Sequence, residues 1–120
     1  MMIYENNQPL KETKMRILLL GTYTPDALQG LMSGSDRKAA VEAMLDKVGG
    51  SLEHLAFTRG EYDVVVTAIV PDNVSLPGIG IALKASGAFE KAVYLEELEM
   101  TEVLNTAKNA ATVYTPATTS

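Results

Sequence analysis

Two stretches of the chain are apolar on consecutive residues rather than on alternate ones. In residues 64–70 (VVVTAIV), Val64, Val66 and Ala68 point to one side of an extended chain, and Val65, Thr67 and Ile69 to the other. Both sides need cover, which marks a central strand. Residues 15–22 read the same way, with Ile17 and Leu19 on one side and Leu18 and Leu20 on the other. Residues 89–98 alternate instead: Lys91, Val93 and Leu95 stand against Glu90, Ala92, Tyr94 and Glu96. That is the pattern of an edge strand, whose charges discourage stray pairing. A fourth strand spans 51–58, with Leu52, His54 and Ala56 on one face and Glu53, Leu55 and Phe57 on the other.

The segments between the strands carry helix signals. Thr24 offers a capping hydroxyl, Pro25 suits the first helical position, and Asp26 faces the positive end of the helix dipole. Ser33-Gly34-Ser35 interrupts this helix, and Ser35 or Asp36 can cap a second segment. There Val41, Met44, Leu45 and Val48 recur at helical spacing. Gly49-Gly50 ends it, Gly49 being expected in the left-handed conformation. Another helix falls between residues 74 and 86, with Pro77 in its first turn and Gly87 at its end. Thr101 can cap a short last helix running to about residue 107. Arg59-Gly60-Glu61 links 51–58 to 64–70 as an antiparallel hairpin.

The resulting order, β-α-β-β-α-β with an added C-terminal helix, predicts the α+β class and a ferredoxin-like sandwich in which the first and third strands are central. Those are the two strands that are apolar on both faces. Both helices lie on one side, so the other face of the sheet is bare. Its expected cover is the same face of a second protomer, in a dimeric α+β barrel or closed sandwich. Residues 15–108 form the single domain, 1–14 a flexible polar extension, and 109–120 a disordered tail rich in Thr and Ala.

Composition narrows the partners. The 120 residues carry a formal net charge of −5, which argues against nucleic acid and acidic membranes. No run approaches the roughly 18 apolar residues of a membrane helix, and the N-terminus lacks the apolar core of a secretory signal. Without cysteine there is no disulfide framework or thiolate chemistry, and with His54 as the only histidine a multi-histidine metal site or a histidine-based triad is hard to build. These features fit a cytoplasmic protein with no metal and no cofactor, whose partners are itself and a small molecule.

Gly60-Glu61-Tyr62-Asp63 ahead of the third strand resembles the signature of the GYD-domain family of small bacterial proteins. Tyr23-Thr24-Pro25 after the first strand, Ser35-Asp36-Arg37 within the first helical region and Gly49-Gly50 before the second strand agree with it. The resemblance runs over about residues 15–102. It implies the ferredoxin-like architecture and leaves the function open. Two departures stand out: Pro77, Gly78 and Gly80 lie where a smoother, alanine-rich helix is usual, and the C-terminal tail is extended.

Six residues are candidates for ligand binding: His54, Arg59, Tyr62, Asp63, Tyr23 and Arg37. Histidine is the side chain suited to proton transfer near neutral pH, and His54, on a face with Leu52 and Ala56, can line an interface cavity. The plainer reading is a hydrogen-bonded surface histidine. Arg59 can clamp a carboxylate while Tyr62 or Asp63 orients a polar ligand. Structurally, Asp63 can instead pair with Arg59 or accept backbone amides. Tyr23 lies beside a helix N-terminus, a setting that attracts anions, although Asp26 opposes one and simple capping explains the site. Arg37 can pair with Asp36 or Glu61 or reach a ligand. Glu90, Glu96, Glu97 and Glu99 read as a solvated edge. Three functions follow: a homo-oligomeric small-ligand-binding or sensory module, a cofactor-independent monooxygenase- or isomerase-like enzyme using His54 with Tyr62 or Tyr94, or a purely structural assembly domain. The first is favoured, since no complete catalytic constellation is present; the second is a fold analogy.

Overall fold

A computed structural model describes residues 4–5, 8–9 and 13–118. The main sheet has four strands, β3 (Lys14–Tyr23), β4 (Ser51–Phe57), β5 (Val64–Pro71) and β6 (Phe89–Glu96). They lie in the order β4-β5-β3-β6, and every neighbouring pair is antiparallel. The two strands expected to be central are central, and the alternating strand is an edge. This is the ferredoxin-like α+β arrangement. Two short strands, β1 (Tyr4–Glu5) and β2 (Gln8–Pro9), pair with each other within the N-terminal extension; the rest of residues 1–12 lies outside the described residues.

Helices α1 (Pro25–Met32), α2 (Arg37–Lys47) and α3 (Leu76–Ala85) follow the capping signals. The Thr24 hydroxyl accepts the Ala27 amide at 3.2 Å, and the Asp36 carboxylate accepts the Ala39 amide at 2.9 Å. Ser75 does the same for Gly78, which places the start of α3 and puts Pro77 in its first turn. Gly49 has φ +81°, the expected helix-ending conformation. The last helix, α4 (Met100–Ala111), is longer than expected. Glu99 caps it by accepting the Thr101 amide, and it takes residues 109–111 out of the tail that the sequence suggested was disordered.

Burial resolves which side of the sheet the helices cover. Along β5, Val64, Val66, Ala68 and Val70 are buried, while Val65, Thr67 and Ile69 are only partly so. Ile17, Leu19 and Tyr23 of β3 share the buried side and meet Leu45 of α2 and Leu76 and Ile79 of α3. Leu18, Leu20, Val65, Ile69, Val93 and Leu95 lie on the opposite face, away from the side on which α2 and α3 build the core among the described residues.

One expectation fails on β4. Leu52 pairs with Ala68, but the next paired residue is His54, opposite Thr67. The intervening bulge at Glu53 moves the alternation on by one. Leu52 therefore packs on the core with Leu55, while His54 and Ala56 lie on the open face. Bulge residue Glu53 also reaches over the open face, where both its oxygens accept from Arg16, at 2.7 and 3.0 Å.

Candidate functional site

The GYD segment fastens three pieces of backbone together. The Asp63 amide donates to the Gly21 carbonyl at 2.8 Å, and its own carbonyl accepts the Thr58 amide at 2.8 Å. Its carboxylate accepts the Tyr23 amide at 2.9 Å. Asp63 thus extends the β3–β5 ladder past its last pair and closes the β4–β5 loop, the structural use foreseen for it with backbone amides as partners. The Thr22 hydroxyl donates to the Glu61 carbonyl at 2.7 Å, and that of Thr58 to the Tyr62 carbonyl. The Tyr62 ring lies 5.2 Å from the Lys91 ammonium, which also pairs with the Glu61 carboxylate. Glu61 is therefore engaged with Lys91 and not with Arg37. Arg59 is exposed in the loop.

What these contacts hold in place is the end of β3. Tyr23 is 3% exposed, and its ring stacks on Phe89 at 5.2 Å between centroids, 28° from parallel. Phe89 can lie there because Gly21 has no side chain: a Cβ on Gly21 would fall 2.4 Å from the Phe89 ring. Above this aromatic pair lie α2 and α3. α2 stands over β4 and α3 over β6, where Gly80 lets it approach Tyr94. Between them a cleft of about 200 Å³ remains, walled by Val41 and Met44 of α2 and Ala82 and Leu83 of α3, with Tyr23 and Phe89 in its lining.

The cleft is apolar apart from a few groups. The Ser86 hydroxyl, in its lining, is already committed to the Leu83 carbonyl and the Ala88 amide. That leaves the Tyr23 phenol and the Arg37 guanidinium. Arg37 is the first residue of α2, where a cation opposes the helix dipole. Its Nε donates to the Ser35 hydroxyl at 3.0 Å, and its side chain lines the cleft. Burial pushes the Tyr23 phenol above its ordinary range; Arg37 pulls it back, and the Asp63 charge adds to the rise.

Of the six candidates, then, Tyr23 and Arg37 line one cleft, and Asp63 braces it from behind. Tyr62 and Arg59 belong to the neighbouring loop. His54 is on the other side of the sheet, on the open face. Tyr94 pairs with Leu19 on the helix side, so a His54–Tyr94 catalytic couple within one chain is ruled out. Glu96, Glu97 and Glu99 border one open groove, where Glu97 binds Arg16 at 3.2 Å and Glu99 caps α4. Among the described residues no group of three or more His, Asp or Glu is arranged to hold a metal ion. Phe89, Met44 and Leu83 were not singled out in the sequence. Their signal was apolar spacing, which marks core and pocket wall alike.

The sequence profile of the GYD domain matches residues 17–107, about three quarters of the chain. The chain belongs to the GYD domain family. The match begins within β3, takes in the other three strands of the main sheet, the Asp63 fastening and the cleft, and ends within α4. No curated protein and no solved structure matches this GYD-domain chain. Among its described residues, no helix is long and apolar enough to cross a membrane.

Proposed function

We propose that this GYD-domain protein is a homodimeric binding module for a small, mostly apolar molecule bearing one anionic group. The observation that carries the reading is the cleft between α2 and α3: a mostly apolar, partly open groove with Arg37 and Tyr23 in its lining. Pockets of this build use apolar walls for affinity and a few polar groups for orientation. At interior packing density about 200 Å³ accommodates on the order of ten non-hydrogen atoms, the size of a small aromatic or short-chain carboxylate. Arg37 would take the carboxylate and Tyr23 would donate to it. Neither is a base or nucleophile at neutral pH, which favours binding over catalysis. The dimer would form through the open sheet face, where Leu18, Leu20, Val65, Ile69, Val93 and Leu95 otherwise meet water. The acidic charge and the lack of cysteine suit a cytoplasmic setting.

The test is a thermal-shift titration with aromatic and short-chain monocarboxylates, each paired with its neutral amide. A ligand that binds only the native state raises the melting temperature. Carboxylates should raise it and amides should not, and Arg37→Gln should abolish the difference. Equal shifts from acid and amide, or none at millimolar concentration, would refute the anionic-ligand reading.

A further inference from the structure

The helix α4 is folded but has almost nothing to fold against. All of its twelve residues are exposed, and it packs closely on no other helix or strand of the described chain. An isolated helix of this length is marginal in water. Yet α4 is amphipathic: Met100, Val103, Leu104, Ala107 and Ala111 fall on one stripe, with Glu102, Asn105 and Asn109 opposite. The stripe continues an apolar surface. Leu95 lies on the open face of β6, Leu98 follows in the short link, and Met100, Val103 and Leu104 come next; all five are between 39% and 55% exposed.

We propose that α4 is an exchanged arm: its apolar stripe packs on a second copy of this chain, beside the sheet face that the same copy covers. The inference rests on the homodimer proposed above. Area supports that occupant. Four strands of about eight residues present a face of roughly 500 Å² in plan, and each partner of a stable interface commonly buries roughly 800 Å² of accessible surface. A helix of twelve residues adds about 200 Å² along its stripe. Face and arm together are continuous and of the size that a two-fold dimer uses, each copy contributing one face and one arm.

The experiment compares the full chain with the double variant Val103→Asp, Leu104→Asp by sedimentation equilibrium, with Asn105→Asp on the opposite side of α4 as control. Because α4 stands off the core, circular dichroism should show the sheet intact in all three. The inference expects the double variant to associate at least tenfold more weakly and the control to match the wild type. It also expects α4 amides to gain protection from hydrogen exchange as concentration rises. A wild-type dimer that the double variant leaves unchanged would overturn the arm and spare the dimer. A wild type that stays monomeric at all concentrations would overturn both. Amides of α4 that are protected even in dilute monomer would show the helix folded back on its own chain, which also overturns the arm.

Discussion

Gly21 shapes the site without a functional group of its own, by leaving room for the Phe89 ring. It faces Ala92 on β6 and is covered by the Phe89 ring, an aromatic side chain filling the gap that a strand glycine leaves. Adding a methyl group forces that ring toward the cleft, since the new atom would sit 2.4 and 2.6 Å from two of its carbons. Gly21→Ala is therefore expected to destabilise the protein by about 1–3 kcal/mol, the range for overpacking, and to weaken carboxylate binding more than Ser86→Ala does. Chemical denaturation and the thermal-shift titration would measure the two effects; undiminished binding would mean that Phe89 does not shape the cleft. Tyr23 and Arg37 were legible in the sequence because each sits beside a helix start, which is marked locally. The partnership of Gly21 with Phe89 was not legible, because it joins residues 68 positions apart through the register of two strands. His54 was misplaced relative to Leu52 because a one-residue bulge leaves no trace in hydrophobic periodicity.

At the scale of elements, β5 is apolar on both sides for two different reasons. Val66 is 3% exposed, between the sheet and the helices, whereas Val65 lies on the open face and is only partly buried within one chain. An aspartate at 66 buries a charge with no partner, and Val66→Asp should lose more than about 4 kcal/mol, enough to prevent folding of a domain of ordinary stability. Val65→Asp places its charge at the proposed interface, where an isolated protomer can still solvate it. It should give a folded monomer, seen as native circular dichroism at half the wild-type mass. A Val65→Asp protein that is unfolded at every concentration would mean that the open face is part of the protomer's own core. Most elements could be read because their ends are written locally: Thr24-Pro25, Asp36 and Gly49 each act within a turn. The start of α3 and the length of α4 were harder. Ser75 precedes a Pro-Gly-rich run that hides the helical period, and α4 has no core against which a pattern could be judged.

The molecule as a whole carries fifteen acidic and ten basic residues, so two copies that meet face to face repel at long range. The surface proposed to join them is nonetheless apolar at its centre, and the charges on that face are already paired: Arg16, held above its ordinary range by Glu53 and Glu97, lowers the Glu53 carboxyl in turn. Salt acts on these two contributions differently. It screens charges separated by more than about 10 Å at 0.1 M, which removes the repulsion, and it leaves the burial of leucine and valine side chains intact. Association should therefore tighten as sodium chloride rises from 0.02 to 0.3 M, read as a lower dissociation constant in sedimentation equilibrium. If the dimer instead loosens with salt, ion pairs hold it. Arg16, Glu53 and Glu97 would then bridge copies, and the apolar face would have to be covered by something other than its own twin.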